Sequence, residues 1–272
     1  LRHIDVWADA GFLFMDCCVK GRADLGYAFV DGYLNVSGDY EGVQLLPMFA
    51  AYRSVVRAKI AALRYAQAQD SQVFANMQRH LAWASQLAAR PPGQLWVTCG
   101  FSGSGKSHWA KQLVPQLPAI RLRSDVWRKA QHGLLPLGQS HSEVGEGMYG
   151  ADTSQQVYTS LAELAAQLLK QGEHVLVDAA CLAEDQRQTL AVAAEKVGAQ
   201  TTVLHFTAPK AVLLDRIAAR AQKNSDPSEA DADVLEWQMA NFSKPTRQES
   251  YDVVHIDTAK LALSELLETL QI

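Results

Sequence analysis

Eight consecutive residues, Gly100-Phe101-Ser102-Gly103-Ser104-Gly105-Lys106-Ser107, constrain this chain more than any others. They fit the pattern Gly-x-x-x-x-Gly-Lys-[Ser/Thr]. The glycines let the backbone turn sharply and bring several N–H groups toward one anion. A helix opening at Gly105 directs its positive end to the same point. Lys106 is then placed to reach the β- and γ-phosphates of a nucleotide, and Ser107 to offer its hydroxyl to Mg²⁺. The pattern carries this meaning only between a strand and a helix. Gln94–Cys99 reads as a short apolar strand, and 105–117 as a helix. The expectation is a site for ATP with Mg²⁺, the nucleotide touching Gly100, Ser102, Gly103, Ser104, Gly105, Lys106, Ser107 and His108.

The residues beyond the loop set the fold class. Short apolar runs at Ala119–Arg123, His174–Asp178, Thr201–Phe206 and Asp252–Ile256 alternate with helical patterns at Thr153–Gln171, Glu184–Val197, Pro209–Ala221, Asp231–Asn241 and Lys260–Leu270. Strands alternating with helices imply a parallel sheet covered on both faces. The class is therefore α/β, a P-loop NTPase of the small-kinase kind.

The first ninety residues have a different rhythm. Met48, Tyr52, Val55, Val56, Ile60 and Leu63 recur at helical spacing within Pro47–Gln69. Val73, Met77, Leu81, Ala84 and Leu87 do so within Ser71–Ala89, with Ser71 as a candidate cap. Leu25, Phe29 and Tyr33 share a face of Arg22–Leu34. Arg90-Pro91-Pro92-Gly93 cannot continue a helix. The expected division is an all-α segment, 1–90, before a P-loop domain, 91–272.

Composition excludes some alternatives. A formal net charge of −4 argues against a dedicated nucleic-acid binder. The four cysteines, Cys17, Cys18, Cys99 and Cys181, form no Cys-x-x-Cys pair, which argues against a zinc site or a disulfide framework. No apolar run approaches the ~18 residues that a membrane span needs, and the amino-terminal residues do not resemble a signal peptide. A reducing, cytoplasmic setting is expected.

Candidate catalytic groups lie where the carboxyl ends of parallel strands converge. Asp178 closes the strand His174–Asp178 and can hold Mg²⁺ directly or through water. Ala179 and Ala180 come next, where a hydrolytic motor would carry a Glu to activate water. That favours transfer to a bound acceptor. In Arg123-Ser124-Asp125-Val126-Trp127-Arg128, Asp125 can take the proton of an attacking hydroxyl, and Arg123 and Arg128 can hold an acceptor or phosphate oxygens. Helix capping by Ser124 or Asp125 is the simpler alternative. Arg216 and Arg220 share a helix face ahead of the polar stretch Lys223–Ala230 and are candidates to neutralise charge on a moving phosphoryl group. The stretch 132–152, with His132, Ser140, His141, Ser142, Glu143 and Tyr149, reads as a loop covering the acceptor.

These residues carry two family resemblances. Residues 94–272 resemble the P-loop kinases grouped with zeta-toxin-like and polynucleotide-kinase-like proteins, through Gly100–Ser107, Arg123-Ser124-Asp125 with Arg128, Val175–Asp178, and Arg216 with Arg220. That resemblance implies Asp125 as the base and Arg128 as a phosphate contact. The whole chain is similar to the C-terminal portion of bifunctional aminoglycoside phosphotransferase-like/P-loop ATPase (AAA family) proteins. Here the matching residues are Ile4-Asp5-Val6, Phe12–Asp16, Gly21-Arg22, Gly38-Asp39-Tyr40, Leu45-Leu46-Pro47 and Tyr52–Lys59. It implies that residues 1–89 are the end of a protein-kinase-like C-lobe, whose nucleotide lobe and His-Gly-Asp-type loop would lie upstream in a longer protein.

The combined expectation is a Mg²⁺-ATP-dependent kinase acting on a hydroxyl acceptor, with a small molecule preferred as that acceptor. The alternatives are an ATP-dependent switch with no acceptor and a polynucleotide 5′-hydroxyl kinase.

Overall fold

In the computed structural model, residues 3–135, 138, 151–223, 230–248, 250–259 and 262–270 are described. Most of the expected 132–152 loop, including Ser140, His141, Ser142, Glu143 and Tyr149, lies outside the described residues, as do 224–229 of the stretch after Arg220.

Four helices precede the proline pair: α1 (Val6–Val19), α2 (Ala23–Ser37), α3 (Leu46–Ala68) and α4 (Ser71–Ala88). After it come β1 (Leu95–Cys99), α5 (Lys106–Leu113), β2 (Ala119–Arg123), α6 (Ser124–Gln131), α7 (Ala151–Lys170), β3 (His174–Asp178), α8 (Glu184–Glu195), β4 (Thr201–Thr207), α9 (Lys210–Lys223), α10 (Ala232–Ala240), β5 (Asp252–Asp257) and α11 (Leu263–Leu270). The strands form one parallel sheet in the order β2-β3-β1-β4-β5. β1 is a mostly apolar run buried along its whole length, as a central strand of a covered parallel sheet should be, and β2 is buried as well although it carries Arg121 and Arg123.

The helical segment departs from its sequence pattern in three places. The large apolar side chains of α3 face outward: Met48, Tyr52, Val55, Ile60 and Leu63 are exposed. Its buried face is Leu46, Ala50, Ser54, Ala58 and Ala61. These mostly small residues let α3 pack closely on α1 and α4, and Ser54 Oγ donates to the His80 carbonyl at 2.9 Å. In α2 the inward stripe is Tyr27, Val30, Asp31 and Leu34, so Leu25 is exposed; the buried charge of Asp31 is invisible to a hydrophobic pattern. The cap of α4 is Asp70, which accepts from Gln72 N at 2.8 Å, while Ser71 is already helical.

The apolar core runs without a break from α1 and α2 into the sheet. Polar groups cross the same junction. Glu173, fully buried ahead of β3, accepts from Tyr27 Oη and pairs with Arg90 at 3.2 Å. Burial pushes the Glu173 carboxyl up, and Arg90 and Tyr27 pull it back. Tyr40 Oη accepts the backbone N–H of Arg123 at 3.1 Å, so a residue of the helical segment satisfies a donor at the sheet edge.

Candidate active site

The central strand β1 ends at Cys99, and the glycine-rich loop leads directly into α5. Gly103 and Gly105 have φ of +78° and +87°, which a side chain would strain. At Gly103 there is also no room, since an added Cβ would lie 2.5 Å from the Leu213 carbonyl oxygen. The loop is braced from several sides. Gln238 on α10 accepts from Ser102 N at 2.8 Å. Arg216 on α9 donates to Gly103 O at 3.2 Å and to Thr258, whose hydroxyl donates to Ser104 O at 2.9 Å. Lys106 Nζ donates to the Phe101 carbonyl at 2.7 Å. Lys106 keeps some accessible surface, yet enough protein surrounds its ammonium that burial pushes its pKa down, with Asp178 opposing.

Asp178, at the carboxyl end of β3, is 4% exposed. Its Oδ1 accepts from Ser107 Oγ at 2.9 Å. The chain beyond it is fixed. Thr98 Oγ1 donates to Ala179 O at 2.7 Å, Tyr158 Oη accepts Cys181 N at 3.1 Å, and Arg187 donates to Cys181 O at 2.7 Å. Two hard oxygen donors thus stand side by side at the loop. Mg²⁺ suits such a place, because it usually takes one or two protein oxygens and completes its shell with phosphates and water. Among the described residues no group of three or more His, Cys, Asp or Glu side chains is placed to hold a metal.

A cavity of about 980 Å³ opens over the loop. Lys106, Ser107, His108 and Asp178 line it, together with Ser102, Gly103 and Gly105. Asp125 and Arg128, from the first turns of α6, open on the same space, as do Arg216 and Arg220. Arg220 also donates to Ala230 O at 2.6 Å, holding the chain where it enters α10. Gly100, Ser104 and Arg123 do not line the cavity. Ser104, within the loop, is fully buried. Arg123 turns inward: its Nε lies 3.4 Å from Asp178 Oδ2 and its Nη1 donates to Asn35 Oδ1 at 3.2 Å.

Sequence reasoning missed Gln238, Trp237, Asn241, Ser154, Tyr158 and Gln186, which also line the cavity. They come from helices α7, α8 and α10 and from the residue after α10, and none belongs to a short motif. Thr258 could have been suspected, since it lies just past β5 at the edge where parallel strands place their ligands.

A parallel sheet in this order, with the phosphate loop leaving its central strand, defines a P-loop kinase-like domain. The chain belongs to the AAA domain family, whose profile matches residues 95–245. It is 31% identical over 260 residues to uncharacterized proteins of Mycobacterium tuberculosis and Mycobacterium bovis, covering 95% of this chain and 50% of each relative. The chain spans about half the length of the curated relatives it matches. Among solved structures it is similar to a candidate kinase from Chloroflexus aurantiacus, with a TM-score of 0.53 and 15% identity over 66% of this chain and 97% of that one. It is also similar to a sugar kinase from a Janibacter species, with a TM-score of 0.50 and 18% identity over 66% and 96%. At these identities the likeness is one of fold. No helix among the described residues is long and apolar enough to cross a membrane.

Proposed function

We propose that this chain transfers the γ-phosphoryl group of Mg²⁺-ATP to the hydroxyl of a small molecule. The observation that carries the reading is convergence: Asp125 and Arg128 face the same cavity as Lys106, Ser107 and Asp178. In this reading the loop N–H groups and Lys106 hold the phosphates. Ser107 and Asp178 would hold Mg²⁺, which when bound would neutralise charge on the nucleotide's phosphates. Asp125 takes the acceptor's proton as its oxygen forms a bond to the γ-phosphorus and the bond to ADP breaks. Arg128, Arg216 and Arg220 balance the charge that moves. Ala179 and Ala180 leave no carboxylate next to Asp178 to prepare water, which favours an alcohol over hydrolysis.

The acidic balance of the chain stands against a polynucleotide end as the acceptor. The aminoglycoside phosphotransferase-like resemblance rests on segments between Ile4 and Lys59, and the zeta-toxin-like one on Gly100–Ser107, Arg123-Ser124-Asp125 with Arg128, Val175–Asp178, and Arg216 with Arg220. An ATP-dependent switch is the second reading, favoured by the buried contacts that join α2 to β2 and β3. It predicts ADP release that no acceptor accelerates.

The test compares two variants. Lys106→Ala is expected to weaken ATP binding. Asp125→Ala is expected to bind ATP normally and to lose transfer by about 10²–10⁴-fold, the usual contribution of a general base. Full transfer by Asp125→Ala to an identified acceptor would remove the base from the scheme.

A further inference from the structure

Helix α2 reaches the expected metal carboxylate through buried guanidiniums, of which Arg121 makes the bidentate link. Arg121 lies on β2 with a side chain 2% exposed. Its Nε and Nη2 donate to the two oxygens of Asp31, at 2.8 and 3.0 Å. Its Nη1 donates to the Ser107 carbonyl at 3.2 Å and to Asp178 Oδ2 at 3.3 Å. Arg123, next to Asp178 in the strand register, approaches the same Oδ2 and is also held by Asn35. Asp31 and Asn35 are one turn apart on α2 and so face the sheet together. Asp31, Arg121, Arg123 and Asp178 carry two charges of each sign in a region with little water to screen them.

That balance has a chemical consequence. A bidentate carboxylate–guanidinium pair is the strongest claim on an arginine. While Asp31 makes that claim, Arg121 gives Asp178 only a longer, weaker contact. Without the charge of Asp31, Arg121 would turn to Asp178 as its carboxylate partner, and a carboxylate so neutralised is a poor ligand for a cation. We propose that Asp31 is a positioning residue of the Mg²⁺ site, acting through Arg121 to keep the negative charge of Asp178 available to the metal. The helical segment is thereby a working part of the P-loop site. This inference rests on the reading of Asp178 as a Mg²⁺ ligand.

The experiment measures binding of a fluorescent ATP analogue to the full chain as Mg²⁺ is titrated, and again in chelator. Asp31→Asn keeps the shape and removes the charge. It is expected to raise the half-saturating Mg²⁺ concentration about tenfold, the usual scale for a partner of a metal ligand. Metal-free nucleotide affinity should be unchanged or tighter, because the extra positive charge favours phosphate. A general structural defect would weaken both. The double variant Asp31→Asn/Arg121→Gln removes one charge of each sign and should return the Mg²⁺ dependence to within about threefold of wild type. Wild-type dependence in Asp31→Asn, or a double variant as impaired as the single one, overturns the inference. If Asp31→Asn does not fold, the double variant decides: near-wild-type dependence supports the proposal and a tenfold loss overturns it. Should wild type bind nucleotide independently of Mg²⁺, or Asp178→Asn leave its dependence intact, the metal reading itself falls and takes the inference with it.

Discussion

Replacing Gly103 by alanine should damage the phosphate loop by an amount the structure allows to be worked out. At φ +78° an alanine costs about 1–2 kcal/mol. Its Cβ would lie 2.5 Å from the Leu213 carbonyl oxygen, where an ordinary carbon–oxygen contact is about 3.3 Å, so the loop must retreat by about 0.8 Å. Leu213 belongs to α9, which also carries Arg216, and Arg216 donates to the Gly103 carbonyl. The retreat therefore strains that contact as well. Overpacking of this kind costs a further 1–3 kcal/mol or so. The sum, about 2–5 kcal/mol, corresponds to a fall in melting temperature of about 4–20 °C. Displacing the phosphate-binding N–H groups by this distance should weaken ATP binding by about ten- to a hundredfold. Gly105→Ala is the internal control. Its φ is also positive, but the added Cβ meets only side-chain atoms of Trp109 and Arg216, at 3.4 Å or more. It should lose roughly the first 1–2 kcal/mol alone. Thermal melting by circular dichroism and titration calorimetry with ATP measure both effects. A Gly103→Ala protein that melts and binds like wild type, or a Gly105→Ala protein that is the less stable of the two, would refute the reasoning.

Lys106→Ala should reduce ATP affinity by about ten- to a hundredfold, the range for a lost charge-assisted hydrogen bond, with little change in melting temperature; calorimetry checks this. Tyr27→Phe leaves the buried Glu173 with Arg90 but without its hydroxyl donor. It should cost about 1–3 kcal/mol in urea denaturation, and an unchanged midpoint would show that the hydroxyl contributes nothing. His205, 3% exposed, is pushed down to about 4, first by burial and then by His255, whose Nδ1 lies 3.0 Å away. A histidine with a depressed folded pKa gives stability that is present above its unfolded value near 6.5 and lost as pH falls toward about 4. The loss should be about 1–3 kcal/mol, and His205→Gln should flatten the profile between those limits. A variant as pH-sensitive as wild type there would assign the effect to other groups.

The two halves of the chain are unequally legible in the sequence. Phosphate chemistry demands particular residues at fixed spacing, and Gly100–Ser107 carries them in eight consecutive positions from the end of β1 into the first turn of α5. The strands after it are short runs built round apolar residues and alternate with helical patterns, so the parallel sheet can be read directly. The helical segment misleads because hydrophobic periodicity assumes that the largest apolar side chains point inward. In α3 close packing is made by Ala50, Ser54, Ala58 and Ala61, and the larger residues remain outside. Asp31 is hidden for a related reason. A buried charge looks like a surface residue until its partner is known, and Arg121 lies ninety residues away. Arg123 lies two residues after Arg121 on β2, so strand alternation puts both on one face and turns both toward Asp178, while Asp125 already belongs to α6 and faces the cavity.

The central claim concerns where the phosphoryl group goes. Wild-type protein is incubated with Mg²⁺ and ATP labelled in its γ-phosphate, with and without a panel of sugars, polyols and other small alcohols, and the products are tracked by phosphorus NMR. The account predicts a new phosphomonoester with one acceptor class, formed in step with ADP. Label appearing only as inorganic phosphate, at a rate that no acceptor changes, would contradict it.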